Sequence, residues 1–554
     1  MTRADLLQSL IAQPLFDLAV VGGGATGLGV ALDAALRGFS VLLLESHDFA
    51  GGTSSRSTKL LHGGVRYLAQ GNIALVREAL AERATVLRIA PHLAQPLRFV
   101  MPSYRWWQTP FYGIGLKLYD LMAGQAGLGR TDFLSREQTL AALPGVNPLH
   151  LRGGVRYWDG QFDDARLALA LARTAEAAGA QVLNYASVTA VRRQPGNAAV
   201  STLDFTDTLT GTFHRARARC VVNATGVWVD ALRAHAGLTD GGPDQGAPAR
   251  MVSPSQGVHV VVDREFLPGS HALLVPKTQD GRVLFAVPWL GKLILGTTDT
   301  PRQDLPREPA PFAAELDFIL GEASRALSRP VREQDIRSVW VGLRPLVAPP
   351  ETVQGGTKVL SREHTIVVDQ DGLVTVTGGK WTTYRAMAED VLVRCFDSGL
   401  LERRPSSASA QHTLVGAPKA GRPSSPLHES PGLHLYGCEA EQVNRCPGNR
   451  RELGMGLTEA MVRYAVRHEY ACTVEDVLAR RWRVLFLDAR LAAALAPAVA
   501  AILAEEGIVD PGLASFLDLC PYYLPTQPAE PDTNSKPNCA GSLESSPAEI
   551  PSGT

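Results

Sequence analysis

Three glycines define the first chemistry legible in the chain. In residues 17–45, DLAVVGGGATGLGVALDAALRGFSVLLLE, Gly22, Gly24 and Gly27 fit G-x-G-x-x-G, and Glu45 follows about twenty residues later. This spacing lets backbone turn tightly, approach a pyrophosphate and open a helix whose free N–H groups face that anion. An acid at Glu45 can accept hydrogen bonds from an adenosine ribose. The glycines alone would equally describe a ligand-free strand–helix turn, with Glu45 a solvated strand end. Their flanks decide the matter: an apolar β-run at 18–21, a small-residue helix at 30–36 and a second β-run at 40–44 ending at the acid. Together they spell an adenine-dinucleotide site, with NAD and FAD indistinguishable at this point.

Next comes a polar, glycine-rich segment, SHDFAGGTSSRSTKLLHGGVRYLAQGN, holding Arg56, Lys59, His62 and Arg66. Its Ser54, Ser55 and Ser57 offer hydroxyls to a phosphate or a ring. Elements that must carry these groups can be read around them. Residues 73–90 have helical periodicity, and Asp163 or Asp164 N-caps the helix of DDARLALALARTAEAAG. Residues 181–194 and 201–226 alternate like paired strands, the second ending in the small-residue run VVNATG. From about 250 to 365, β-runs dominate around one helix, FAAELDFILGEASRAL, and Gly378-Gly379 then lead into the helix of KWTTYRAMAEDVLVRCF. Residues 402–432 are rich in Pro, Ser and Gly and read as a linker; 433–515 are helical; the Pro- and Ser-rich tail 521–554 has little to bury and is expected to be disordered.

Composition narrows the class. The chain has 554 residues, 45% of them hydrophobic, so it can bury a large core divided among several domains. A net charge of −1 supplies no global field for nucleic acid. Seven cysteines without a C-x-x-C indicate neither a disulfide framework nor a metal site, and a reduced, cytosolic compartment is the simpler reading. The N-terminus lacks a secretory core, and no stretch is apolar enough to span a bilayer. One cluster stands out: Trp106, Trp107, Phe111, Tyr112 and Tyr119 beside Arg105 and Lys117. It suits a membrane interface and, equally, ordinary core packing.

The glycine turn with Glu45, TSSRSTKLLHGGVRYL, DDARL, VNATGVWVD, GTTD, VGLRPL, SREHTI and GGKWTTYR together resemble the FAD-dependent glycerol-3-phosphate dehydrogenases of the D-amino-acid-oxidase-like flavoproteins. The likeness runs from about residue 16 to 395, and the segment after 433 resembles that family's C-terminal domain. Trp381 departs from it, standing where Leu or Met is commoner. The resemblance implies an α/β fold: a Rossmann-like FAD domain of the two-dinucleotide-binding type (16–100, 151–240, 366–398), an antiparallel-sheet substrate region (101–150, 241–365) and the C-terminal helical domain. It implies FAD contacts at Gly22, Gly24, Gly27, Glu45, Thr53, Ser54, Ser55, Ser57, Lys59, Leu60, Ala224, Gly226, Gly379, Lys380, Thr382 and Thr383.

The implied reaction oxidises sn-glycerol 3-phosphate to dihydroxyacetone phosphate, with electrons passed to a membrane quinone. A phosphate dianion needs a cationic cradle, and arginine forks match phosphate oxygens two at a time. Arg66, Arg344, Arg362 and Lys380 are the candidates, with Tyr67 beside the substrate. GGVRY occurs twice, and only Arg66, not Arg156, matches the family's substrate position. His259 is the first candidate for the base and His62 the second, because histidine titrates near working pH. The glycine-led helix after 379 is expected to aim its N-terminus at the flavin ring. An oxidase passing electrons to oxygen would use the same cradle; an amine or amino-acid oxidase would need one carboxylate-binding arginine rather than several cations. A peripheral position on the cytoplasmic face of the cell membrane follows from the family's quinone chemistry, and a homodimer is compatible with the sequence.

Overall fold

Strand Phe16–Val21 lies at the middle of the first sheet because its apolar run is covered on both faces, as a central parallel strand requires. The computed structural model describes residues 3–13, 15–64, 72–193, 200–236, 250–347, 364–418 and 425–525. Arg66, Tyr67, Arg362 and most of the tail read as disordered therefore lie outside the described residues.

The sheet's path runs His364–Val368, Leu373–Gly378, Thr212–Asn223, Phe16–Val21, Val41–Leu44, Gln181–Leu183. The inner strands from Leu373–Gly378 to Gln181–Leu183 pair in parallel, and the antiparallel hairpin Ala186–Arg193/Ser201–Asp207 joins through Thr212–Asn223. Helix Ala25–Leu36 packs between helices Asp164–Ala177 and Tyr384–Asp397. Small residues allow this: a Cβ on Gly29 would stand 2.8 Å from the Tyr384 ring, and Ala31, Ala34 and Ala35 are buried.

The second sheet has ten strands, antiparallel except where Ala272–Val275 pairs with Ala94–Ser103. Its register sets the site: His259 on Val252–Asp263 lies opposite Gly296 and Trp340, and Ser255 opposite Arg344 on Ser338–Val347. Strands Leu60–Leu61, Ala94–Ser103 and Gly153–Phe162 belong to this sheet. They fall mostly within the segments 16–100 and 151–240 expected for the FAD domain, since position along the chain does not say in which sheet a strand lies.

Helices Glu459–His468, Val484–Leu487, Ala489–Glu505 and Leu513–Leu519, with the π-turn Asp476–Arg481, form the C-terminal part. Its core is continuous with the second sheet: Trp482, Phe486 and Leu495 share one cluster with Phe99, Trp289 and Trp340. The described residues of 402–432, expected as a linker, bury Leu414 and Leu427, so this segment packs rather than tethers. The aromatic residues of the 106–119 cluster and their apolar neighbours differ in exposure. Tyr119 on helix Gln108–Ala123 is buried, whereas Trp106, Phe111, Ile114, Leu118 and Leu121 are exposed. Among the described residues no helix is long and apolar enough to cross a membrane.

Candidate active site

A cavity of about 1610 Å³ opens between the two sheets and reaches the glycine turn. Gly22 has φ +113, and a Cβ there would sit 2.5 Å from the Ala224 carbonyl oxygen. A Cβ on Gly27 would meet the Gly22 carbonyl oxygen at 1.9 Å. Strand end, helix start and the 224–226 turn thus touch backbone to backbone, leaving the cavity wall free of side chains where Gly22 and Gly24 line it. Glu45 accepts from the Gly23 amide at 2.6 Å and from the His47 amide at 3.0 Å, on the same wall. Ser54 seats the following loop on the helix, its Oγ accepting from the Ala25 amide at 2.9 Å, while Thr53 donates to the Leu343 carbonyl at 2.6 Å.

Ala224, Gly226, Gly379, Lys380 and Thr382 also line the cavity. Gly378 and Gly379 take φ +82 and +71, turning the chain from its strand into the 3-10 turn Trp381–Thr383 and helix Tyr384–Asp397. The Trp381 indole donates to the Ser54 carbonyl at 2.9 Å, so this unusual tryptophan fastens the second turn to the first loop.

Not every expected contact reaches the cavity. Leu60 and Ser57 line it, yet Ser57 Oγ donates to Asp164 at 2.7 Å. Gly27, Ser55, Lys59 and Thr383 are not on the wall. Lys59 is fully buried: its Nζ donates to Asp164 and to the Ser55 carbonyl, each at 2.7 Å, amid the rings of Trp289, Trp340 and Phe486. Burial pushes its pKa down to about 7. It braces the loop from behind. Composition could not reveal this, because the same lysine on the loop's other face would meet a phosphate.

His259, His62, Arg344 and Lys380 all line the cavity, and Arg344 stands close enough to His259 to act on its charge. His259 is 2% exposed, its ring stacked on Trp340 with centroids 5.1 Å apart, and Nε2 is 2.9 Å from Thr58 Oγ1. Burial, with Lys59 and Arg344 nearby, holds the imidazole well below its ordinary pKa, so it is a neutral proton acceptor at working pH. Arg344 is positioned by the GTTD turn: Nη2 donates to the Thr298 carbonyl at 3.0 Å and to Thr297 Oγ1 at 3.2 Å, and Nη1 to Asp299 at 3.3 Å. Gly257 makes room, since a Cβ there would lie 2.2 Å from Arg344 Nη2. Arg156, of the second GGVRY, pairs with Asp132 at 2.6 Å, away from this wall.

Sequence reasoning missed Thr58, Arg307 and the Trp228 ring, all on the wall. It quoted GTTD and VNATGVWVD, which contain the Arg344 supports and Trp228, without assigning them roles. Among the described residues no cluster of metal ligands occurs. The side-chain-free glycine wall, Glu45 and the second glycine turn fit a two-ended dinucleotide with a flavin.

Comparison with known proteins agrees. The FAD dependent oxidoreductase family matches residues 17–389, and the C-terminal domain of alpha-glycerophosphate oxidase matches 432–510. The mitochondrial glycerol-3-phosphate dehydrogenase of Homo sapiens is 40% identical, covering 89% of this chain and 70% of that protein. Its counterpart in Schizosaccharomyces pombe is 37% identical, covering 91% and 86%. The structure resembles the Bacillus halodurans glycerol-3-phosphate dehydrogenase complexed with FAD, at TM-score 0.71 and 30% identity over 93% of this chain and 95% of that one. The chain is an FAD-dependent oxidoreductase and belongs to the glycerol-3-phosphate dehydrogenases.

Proposed function

We propose that the protein oxidises sn-glycerol 3-phosphate to dihydroxyacetone phosphate and passes the electrons to a membrane quinone. The observation that carries the first half is a buried His259 beside Arg344 on the lining of a cavity that Lys380 also lines. In this reading Arg344 and Lys380 bind the phosphate dianion, with Arg66 and Arg362 as further cradle residues and Tyr67 beside the substrate. His259 takes the C2 hydroxyl proton, and His62 orients the substrate. Bound FAD supplies the acceptor for the C2 hydride. Lys380 also offers a positive charge to the oxygen as it loses its proton.

The exposed side of helix Gln108–Ala123 supports the second half. Phe111, Ile114, Leu118 and Leu121 recur at helical spacing and are 66%, 69%, 47% and 76% exposed, with Trp106 at 77% beside them. Phe111, Ile114 and Leu118 also border the cavity, so an apolar acceptor leaving a bilayer would meet the flavin cavity directly. The corresponding location is the cytoplasmic face of the cell membrane. Liposome co-sedimentation tests the surface: Trp106→Ala/Trp107→Ala is expected to release the protein from vesicles that retain wild type, and equal retention would remove this helix from the docking face.

Anaerobic flavin reduction by glycerol 3-phosphate, followed by reoxidation with a short-chain quinone or with oxygen, tests the whole reading. Rapid reoxidation by the quinone and slow peroxide formation are expected; the reverse would make the protein an oxidase. Arg344→Ala should retain FAD and lower kcat/KM about 10²–10³-fold, the scale of losing a preorganised charged donor. Undiminished turnover would place the cradle elsewhere.

A further inference from the structure

Residues 305–308, which follow strand Thr300–Pro301 of the antiparallel sheet, reach the loop after Glu45, and they are pinned there from three directions. The Trp228 indole donates to the Leu305 carbonyl at 3.2 Å, and Arg56 Nη1 donates to the Arg307 carbonyl at 2.8 Å. Glu308 forms an ion pair with Arg56 and accepts from the Tyr523 hydroxyl at 3.1 Å. Strand-end turn, flavin loop and C-terminal part thus each hold the same four residues.

The pinned backbone presents the Arg307 side chain to the cavity. Its guanidinium stands 5.5 Å from the centre of the Trp228 ring, and Nη2 is 3.7 Å from where a Cβ on Gly51 would sit. Arg307 shares the cavity wall with Gly22, Gly24, Glu45 and Gly51. Among the described residues this guanidinium makes no hydrogen bond and no ion pair, whereas neighbouring Arg56 makes both. The nearby carboxylate of Glu45 is already taken up by the Gly23 and His47 amides.

A half-buried arginine held in place without an anion is costly unless a ligand brings one. It shares the cavity lining with the glycine turn and the helix start, the arrangement suited to a pyrophosphate. The substrate end is a poor alternative destination. The charges acting on His259 are Lys59 and Arg344, while those acting on Arg307 are Glu45, Arg56, Glu475 and Arg480. We infer that Arg307 is a cofactor-binding residue that closes the adenosine half of the FAD site from the opposite domain, its guanidinium on the pyrophosphate. The glycine turn then supplies backbone donors from one side and Arg307 a charged fork from the other.

The test is FAD titration of the flavin-stripped protein, followed by quenching of flavin fluorescence, with riboflavin as the phosphate-free control. Arg307→Met is expected to raise the Kd for FAD about 10- to 100-fold, the scale of one lost charge-assisted contact, and to leave riboflavin binding unchanged. Arg307→Lys, which keeps the charge but not the fork, should fall between. The Tm of the flavin-free protein should drop little in Arg307→Met, because among the described residues the guanidinium has only its contact with the Trp228 ring to lose, whereas the Tm of the FAD complex should drop clearly. At saturating FAD the KM for glycerol 3-phosphate should match wild type. An FAD Kd within twofold of wild type would overturn the assignment, as would an equal loss of riboflavin affinity, the mark of a structural effect. A raised KM with unchanged FAD affinity would move Arg307 to the substrate.

Discussion

Thr58 governs how His259 can act. Its hydroxyl oxygen lies 2.9 Å from Nε2, while Nδ1 has no hydrogen-bond partner among the described residues, so the threonine is the hydrogen bond that orients the ring. Thr58→Val removes that contact at nearly constant volume and should slow flavin reduction up to about 10-fold, the value of one neutral hydrogen bond. Thr58→Ser should restore it, with FAD binding unchanged in both. A valine variant reducing its flavin at the wild-type rate, followed by stopped-flow absorbance, would leave His259 positioned by Trp340 alone. The residues differ in how legible they were. Arg344 and Lys380 could be named because VGLRPL and GGKWTTYR carry them, and His259 because histidine titrates near working pH. Thr58 could not, because its role depends on a ring 201 positions away. Arg307 was invisible for a similar reason: only the fold brings it across to the glycine turn. Lys59 was named for the wrong surface, since a motif gives the residue but not the direction its side chain takes.

At the scale of elements, the helix opening DDARL shows two adjacent acids dividing the work. Asp163 is the N-cap, Oδ1 accepting from the Arg166 amide at 3.2 Å. Asp164 instead reaches back to the flavin loop, accepting from the Ser57 amide at 3.1 Å, Ser57 Oγ at 2.7 Å and Lys59 Nζ at 2.7 Å. Arg483, donating to the Ser55 carbonyl at 2.7 Å, lies 3.3 Å from the same carboxylate and ties the C-terminal part to this loop. Asp163→Ala loses the cap, about 1 kcal/mol, and with it a carboxylate 4.0 Å from Arg483, so its cost should exceed the cap value but stay below that of Asp164. Asp164→Ala leaves buried cations without their counter-charge and should cost about 3–5 kcal/mol. Urea unfolding of the two variants measures both, and equal destabilisation would deny Asp164 its bracing role. The sequence located this helix start and left the two acids as alternatives, because capping chemistry is local whereas the second acid's partners are not. Sheet membership was lost in the same way. Nothing in the local sequence says that Ala94–Ser103 pairs with Gly153–Phe162 rather than joining the parallel sheet.

For the whole molecule, the parts are held together by polar groups as much as by apolar ones, and this makes stability depend on pH. His92 is 2% exposed where the 414–417 segment meets helix Asp164–Ala177 and the turn Leu433–Glu439; Cβ atoms on Gly416 and Gly437 would lie 2.8 and 3.1 Å from its ring. Burial, reinforced by Arg166 and Arg173, lowers its pKa to about 3. In the unfolded chain it returns to about 6.5. Between these values the unfolded chain binds a proton that the folded chain refuses, so stability falls as pH falls, by about 1.4 kcal/mol per pH unit below about 6.5. Above about 6.5 both states are neutral and the effect vanishes. His259, also depressed, acts with the same sign. His92→Gln keeps a polar side chain of similar size without the titration. Its unfolding free energy should drop less than that of wild type between pH 7.5 and 5.5, the difference being about 1.4 kcal/mol. The carboxylates are common to both proteins and cancel in that comparison, so equal losses on acidification would show that His92 is not the neutral histidine at this junction.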